Sequence, residues 1–215
     1  MPDGDKLDKS QPETYSYYLR VAQTKMTVPS VSDSIAWADC AVWNQSQEAA
    51  LLSGEILLFV RSHSAWGGAC TAGMYLPILR SHAWQQLTDY PRWVQYFPDL
   101  VRSEVLHRGD SLTGKSKRLY QIARKAFLMF SAEVEIYLKV LEVVQQQIQF
   151  RMEKGSFIDF AADLKLQDCG NGTILTYSVQ ATPIIPVPSI FIQQAMHLDL
   201  PTNMRKMRQV LCGKI

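Results

Sequence analysis

The sequence predicts an α+β fold in which a curved antiparallel sheet wraps around one long C-terminal helix. Two observations predict it. Between Leu100 and Pro183 most segments alternate apolar and polar residues, which is the period of strands with one buried face. From Ser189 onward the apolar residues instead recur at helical spacing. Because a sheet with one apolar face must bury that face, the long helix is expected to cover it, with an apolar cavity between the two.

The first 53 residues are predicted to be an N-terminal extension. Residues 1–30 are polar and contain three prolines, which is typical of a flexible arm. A helix is expected over residues 32–52, because Ser32 and Asp33 suit an N-cap and Gly54 suits the position after a helix end. The folded domain is therefore expected to span residues 54–215.

The spacing of apolar residues and the positions of turn-forming residues predict the remaining helices and strands. Val134, Ile136 and Leu138 alternate with polar residues, and Asn171-Gly172 lies between two alternating runs, a pattern typical of a hairpin. Pro201 is expected to kink or restart the last helix. In order, the predicted elements are strands Glu55–Arg61 and Ala69–Leu76, helices Ser81–Thr88 and Tyr90–Phe97, strands Leu100–His107, Lys115–Phe127, Ala132–Val144, Gln147–Met152, Ser156–Gln167 and Thr173–Pro183, and a helix from Ser189.

Composition excludes several classes of protein. The chain has 215 residues, of which 47% are hydrophobic and 20% charged, so wholesale disorder, collagen and coiled coil are excluded. The net charge of +2 does not indicate a nucleic-acid partner. No apolar run approaches the length of a membrane span, and the N-terminus is acidic and polar, unlike a secretory signal. Four widely spaced cysteines indicate reduced thiols, so a cytoplasmic protein is expected.

Five sequence motifs resemble those of a known superfamily. Ala83-Trp-Gln-Gln-Leu-Thr-Asp-Tyr-Pro-Arg-Trp-Val-Gln-Tyr-Phe-Pro-Asp-Leu100 resembles the entry motif of the START-like (SRPBCC) superfamily, in its polyketide cyclase/dehydrase and coenzyme-Q-binding branch. Gly155-Ser-Phe-Ile-Asp-Phe160 and Gly172-Thr-Ile-Leu-Thr-Tyr177 resemble two of its strand starts. The prolines of Pro183–Pro188 and the segment Pro201–Met207 resemble the entry to its last helix and the late part of that helix.

This resemblance implies a helix-grip fold whose apolar cavity holds a lipid, quinone, isoprenoid or polyketide-like molecule, without a cofactor. It also suggests which apolar residues line that cavity. The candidates are Trp84, Tyr90, Trp93, Phe97, Ile136, Leu138, Phe150, Phe157, Phe160, Leu164, Leu175, Tyr177, Phe191, Ala195 and Leu198.

The sequence contains no residue pattern that predicts a catalytic or metal-binding site. The four histidines lack the spacing of metal ligands, so no metal site is predicted. Glu133 and Glu135 share the polar face of a strand, where a solvated surface is the simpler interpretation. Gly114-Lys115-Ser116 lacks the leading glycine of a phosphate-binding loop and precedes a strand, so that site is rejected as well.

Three functions therefore stand as alternatives. The first is binding or transfer of a hydrophobic small molecule, and the second is a cyclase- or dehydratase-type enzyme on the same scaffold. The third is a protein-interaction factor that uses the N-terminal extension, with Trp37 and Trp43. Two basic segments, residues 102–125 and 200–215, also suggest peripheral contact with an anionic membrane, although ordinary surface cations and helix-end cations are the simpler explanation. The oligomeric state is left open.

Overall fold

The computed structural model describes residues 43–108, 116–127, 130–185 and 187–213. The chain divides into two units, Met1–Trp37 and Ala38–Ile215, and every described residue belongs to the second. The elements are α1 (Gln45–Leu52), β1 (Ile56–Ser64), β2 (Gly67–Leu76), α2 (Arg80–Leu87), a 3-10 helix (Tyr90–Gln95), β3 (Leu100–Arg108), β4 (Ser116–Phe127), β5 (Phe130–Val143), β6 (Gln147–Gly155), β7 (Phe157–Cys169), β8 (Gly172–Pro183) and α3 (Ser189–Cys212).

All eight strands form one antiparallel sheet in the order β1-β2-β8-β7-β6-β5-β4-β3. From β3 to β8 each strand pairs with its neighbour in the chain, as short turns between alternating segments predict. The β7–β8 turn contains Gly170, whose φ of 55° lies in the left-handed region that glycine adopts most easily. The long-range pairing of β2 with β8 brings the first hairpin into the same sheet. The predicted α+β fold, with one curved sheet and a C-terminal helix, is confirmed.

One face of the sheet, called here the inner face, carries the hydrophobic core. Register places Ala72 of β2 opposite Tyr177 of β8, and Tyr177 opposite Leu164 of β7, so the same alternation continues from strand to strand. The helix α3 packs on β1 and β2. A Cβ added at Gly68 would lie 3.1 Å from Sδ of Met196 and 3.2 Å from Cγ2 of Ile192, so the start of α3 sits close to the β2 backbone.

The opposite, outer face is covered in part by the residues before β1. The indole of Trp43 lies against Gly73, where an added Cβ would be 2.3 Å from the ring, and its Nε1 donates a hydrogen bond of 3.0 Å to Oγ1 of Thr176. Leu51 of α1 is fully buried beside Ile174. These contacts dock Trp43 and α1 on the sheet itself. The predicted division of the chain between residues 53 and 54 stays a prediction.

Three elements differ in detail from the sequence prediction. Asn44 is extended, and α1 begins at Gln45 because Asn44 and Gln47 form a capping box; residues 32–42 of the expected helix lie outside the described residues. The second short helix is a 3-10 helix. The last helix continues through Pro201 as a single element of 24 residues instead of restarting there.

Candidate functional site

Aromatic side chains from the 3-10 helix lie on the inner face of the sheet. Trp93 is fixed by a hydrogen bond of 2.9 Å from its Nε1 to the carbonyl of Leu87. Its ring centroid lies 4.9 Å from that of Phe150 and 5.6 Å from that of Phe97. Phe97 in turn lies 6.0 Å from Tyr177. Because this aromatic layer joins the 3-10 helix to β6 and β8, it defines the interior of the domain.

The structure brings together most of the candidate lining residues. Eight are buried in the main core, namely Tyr90, Trp93, Ile136, Leu138, Phe150, Leu164, Leu175 and Tyr177. Four more are half-buried and pack against that core: Trp84, Phe97, Phe157 and Phe160. Ala195 is half-buried on α3. Their role in lining a ligand cavity stays a prediction.

Two candidates on α3 are not part of that core. Phe191 is 55% exposed and Leu198 is 64% exposed. The inward stripe of α3 is instead formed by Met196, Leu200, Met204, Met207 and Leu211, at spacings of three and four residues. Phe191 and Leu198 fall off this stripe, so the helix turns their side chains toward solvent.

A polar cluster of Tyr90, Lys117 and Glu142 interrupts the apolar inner face at one end. The hydroxyl of Tyr90 donates to Oε1 of Glu142, and Nζ of Lys117 donates to the same oxygen at 2.7 Å. Nζ of Lys117 also lies 5.1 Å from the centroid of the Tyr90 ring. The Glu142 side chain is only 8% exposed and that of Lys117 is 27% exposed. Burial, together with the bond to Glu142, raises the pKa of Tyr90 far above its ordinary value, so the phenol stays protonated.

The sequence analysis did not find this cluster, although a signal was present. Glu142 stands two residues after Val140 and therefore continues the apolar face of β5. Lys117 stands two residues before the fully buried Leu119. Each charge is tolerated on the inner face because the register of β4 and β5 brings the two strands' charges to adjacent positions.

Other polar groups of the interior are mostly paired. The hydroxyl of Tyr96 donates to the carbonyl of Gln86 at 3.0 Å, and burial raises its pKa to about 12. Nε2 of Gln121 donates to Oγ of Ser103 at 3.0 Å, and that hydroxyl donates to the carbonyl of Tyr90 at 2.7 Å. The Cys70 thiol is buried on β2, and burial raises its pKa to about 12.

Apolar side chains lie at the edge of the core and along the segment that leads into α3. The rings of Phe157 and Phe160 lie at the edge of the core with centroids 5.5 Å apart and planes tilted by 42°. The chain between β8 and α3 is held nearby, because the amide of Ile184 donates to the carbonyl of Ser156 at 3.4 Å. Four residues that are more than half exposed are called here the apolar rim: Ile184, Ile185, Ile190 and Phe191. Ile184 of the rim therefore lies next to Phe157 at the edge of the core.

The cations of the first basic segment are largely paired. Arg102 bonds Glu104, Arg118 bonds Glu153 and Arg124 bonds Glu133, each at 2.8 or 2.9 Å. Lys117 belongs to the cluster with Glu142. Three of these carboxylates were not recognised as partners from the sequence, because they lie on other strands than the cations. They are Glu133 and Glu142 of β5 and Glu153 of β6. The pairing reduces the positive field that this face offers to an anionic surface.

The residues that the structure describes contain neither a metal-binding cluster nor a helix that could span a membrane. Within the described ranges, no three residues of His, Cys, Asp and Glu lie together as a metal site would need. Nε2 of His63 and Oδ2 of Asp159 lie 2.6 Å apart and form a hydrogen-bonded pair. A separate surface depression of about 360 Å³ is lined by polar residues of the α2 region, including His82 and Asp89. In the same described part of the chain, no helix is long and apolar enough to cross a membrane.

Solved structures with the same fold are distant in sequence. A START superfamily protein from Mycobacterium smegmatis aligns with a TM-score of 0.58 at 13% identity, covering 66% of this chain and 96% of that one. A STAR-related lipid transfer protein fragment from Xanthomonas axonopodis aligns with a TM-score of 0.57 at 17% identity, covering 73% and 93%. The Zhui aromatase/cyclase from Streptomyces sp. R1128 aligns with a TM-score of 0.52 at 9% identity, covering 74% and 93%. Identities this low establish the fold alone.

The family is established by the sequence itself. No curated protein matches the chain. The sequence profile described as polyketide cyclase / dehydrase and lipid transport matches residues 77–208, which is more than half of the chain. The matched region runs from the end of β2 through nearly all of α3, and so contains the aromatic layer and the inner face of β3–β8. The chain therefore belongs to the polyketide cyclase/dehydrase and lipid transport family, and has the START-like fold.

Proposed function

We propose that the protein binds a hydrophobic small molecule between the inner face of the sheet and α3. The observation that carries this proposal is the continuity between core and rim. Half-buried Phe157 and Phe160 pack against the core, and the exposed Ile184 is held next to Phe157 by the bond from its amide to the carbonyl of Ser156. An apolar interior that continues to an exposed apolar rim is what the entry of a hydrophobic ligand requires. The family's description as lipid transport supports the same class of ligand.

The driving force would be desolvation of the ligand. Burying apolar surface contributes about 25 cal/mol per Å², so a ligand of modest size gains several kcal/mol without any charged contact. The aromatic layer of Trp93, Phe97 and Tyr177 offers flat rings against which a ring or an isoprenoid chain can pack. Movement of the chain between Pro183 and Pro188 would open the path.

Ligand binding can be tested with one inner-face substitution and a matched outer-face control. Ala162 and Ala161 are adjacent buried residues of β7 whose side chains lie on opposite faces. Ala162→Leu is expected to lower the affinity for an apolar fluorescent ligand at least tenfold, because the added atoms occupy the inner face beside Tyr177. Ala161→Leu should cost similar stability and leave the affinity unchanged. Equal affinities in the two variants, or no binding of apolar ligands by the wild type, would contradict the proposal.

A second candidate function is catalysis on the same scaffold. Glu142 and Lys117 supply two ionisable groups on the inner face, which a cyclase or dehydratase needs for proton transfer. Both are engaged with each other and with Tyr90, so a substrate would have to displace part of this cluster. Mass spectrometry of a carbonyl ligand after incubation distinguishes the two functions. Recovery of the ligand unchanged favours binding alone, whereas a loss of water that Glu142→Gln abolishes favours catalysis.

Peripheral contact with a membrane is proposed through the apolar rim. The branched aliphatic side chains of the rim suit the interface of a bilayer, and Arg102 of β3 and Arg118 of β4 are already paired with carboxylates. Co-sedimentation with vesicles of a zwitterionic lipid should therefore occur without anionic lipid, and Ile185→Asp should reduce it. Binding that appears only with anionic lipid would instead assign the contact to the basic segments.

A further inference from the structure

The hydroxyl of Tyr177 differs from the other polar aromatic groups of the interior. Tyr90, Trp93 and Tyr96 each donate a hydrogen bond to a named acceptor. Tyr177 is only 7% exposed, yet its hydroxyl has no hydrogen-bonding partner among the described residues. Leaving a buried hydroxyl unpaired is costly, so native proteins rarely do so without water or a ligand.

Small side chains occupy several of the positions next to Tyr177 on the neighbouring strands, while Leu164 lies opposite it on β7. Ala72 lies directly opposite on β2, and Cys70 and Ala162 occupy the diagonal positions on the two neighbouring strands. These small side chains flank a large ring. The only fully enclosed side-chain nitrogen or oxygen without a partner in the described ranges is Nε of Arg80. The oxygen of Tyr177 is not among these fully enclosed atoms, as expected of a hydroxyl that borders accessible space.

We propose that the Tyr177 hydroxyl donates a hydrogen bond to a carbonyl oxygen of the bound molecule. The inference rests on the proposed function and deepens it, because it limits the ligand to hydrophobic ketones, quinones and esters. A carbonyl oxygen brings lone pairs and no proton, so one donor satisfies it. A ligand hydroxyl would also need an acceptor, and a ligand carboxylate would need a cation. Burial raises the pKa of Tyr177, which keeps the phenol in its donating form.

Two probes of matched shape test the proposal. The first is 2,3-dimethyl-1,4-naphthoquinone, which carries two carbonyl groups and no free position for attack by a thiol. The second is 2,3-dimethylnaphthalene, which has the same ring system without carbonyls. Affinities are measured by displacement of an apolar fluorescent dye from the full chain. Tyr177→Phe should weaken binding of the quinone about 2- to 12-fold, the range of one net hydrogen bond, and leave the hydrocarbon unchanged.

Tyr96→Phe is the matched control, because the Tyr96 hydroxyl is already bonded to the carbonyl of Gln86. It should lower the free energy of unfolding and leave both affinities unchanged. Tyr177→Phe should leave the free energy of unfolding equal or higher, since it removes an unpaired buried hydroxyl. An equal loss for both probes, or no loss for either, would overturn the inference while the proposed function stands. If the wild type binds neither probe nor the dye, the proposed function itself fails.

Discussion

Removal of the Glu142 carboxylate is expected to destabilise the domain, because two donors depend on it. Glu142 accepts from Tyr90 and from Lys117, and its side chain is almost fully buried. Hydrogen bonds to a charged group contribute about 1.5–3 kcal/mol each, and breaking a buried ion pair costs about 3–5 kcal/mol. Lys117 keeps part of its hydration, which lowers the penalty. Glu142→Leu should therefore reduce the free energy of unfolding by about 2–4 kcal/mol.

A double-mutant cycle isolates the bond between Tyr90 and Glu142. Tyr90→Phe alone should cost about 1.5–3 kcal/mol, because it removes one bond to a carboxylate. Once Glu142 is leucine, the same substitution should cost much less, which gives a coupling energy of about 1–2 kcal/mol. The assay is urea unfolding followed by tryptophan fluorescence, which reports on Trp93 beside Tyr90.

The chain offers a control pair of the same residue types, Tyr120 on β4 and Glu135 on β5. The Tyr120 hydroxyl donates to Oε2 of Glu135 at 3.1 Å on the exposed outer face of β4 and β5. The cycle of Tyr120→Phe and Glu135→Leu should show no measurable coupling, because water replaces the lost partner. Equal coupling in the two cycles, or a negligible cost of Glu142→Leu, would refute the assignment of Glu142 to a buried cluster.

Three further predictions follow from burial and close packing. Gly73→Ala should lower the free energy of unfolding by about 1–3 kcal/mol and shift the tryptophan fluorescence to longer wavelength, because the new Cβ would overlap the Trp43 ring. The same substitution in a Trp43→Ala background should lower the free energy of unfolding only slightly. An equal loss in both backgrounds would contradict the docking of Trp43. With a pKa of about 12, Cys70 is ~1 in 10,000 thiolate at pH 8, so iodoacetamide should modify half-buried Cys169 before it, as mass spectrometry can follow. Rapid labelling of Cys70 in the folded protein would be the contrary result. Burial raises the pKa of Asp163 despite its pairing with Arg151, so the folded state holds this proton more tightly than the unfolded chain. The stability of the wild type relative to Asp163→Asn should therefore fall as pH rises through the folded pKa of Asp163; a rise in urea-unfolding free energy over that interval would show that the ion pair outweighs burial.

Much of the architecture could be predicted from local sequence patterns. Alternation along residues 100–183 predicted six strands, and each appears at nearly the expected position. Gly54, with a φ of 97°, follows α1 as its sequence suggested. The helix does not restart at Pro201, because helical residues on both sides and the packing of Leu200 and Met204 in the core hold it together.

The candidate site was less predictable, because its members meet only through the register of the sheet. Tyr90, Lys117 and Glu142 stand at least 25 residues apart in the sequence, and their pairing requires β4 and β5 to align beneath the 3-10 helix. Trp43 likewise looked available to a partner, whereas the structure buries it against Gly73 on its own sheet.

The sequence by itself determined the α+β class, the order of the strands and the apolar character of one sheet face, since period and turn residues act within a few positions of the chain. Only the tertiary structure decided which polar groups of the interior find partners. Glu142 neutralises Lys117 across two strands, while the hydroxyl of Tyr177 is left without an acceptor among the described residues. Hydrogen bonds and ion pairs depend on distances of about 3 Å between residues remote in the chain, and no local pattern encodes those distances.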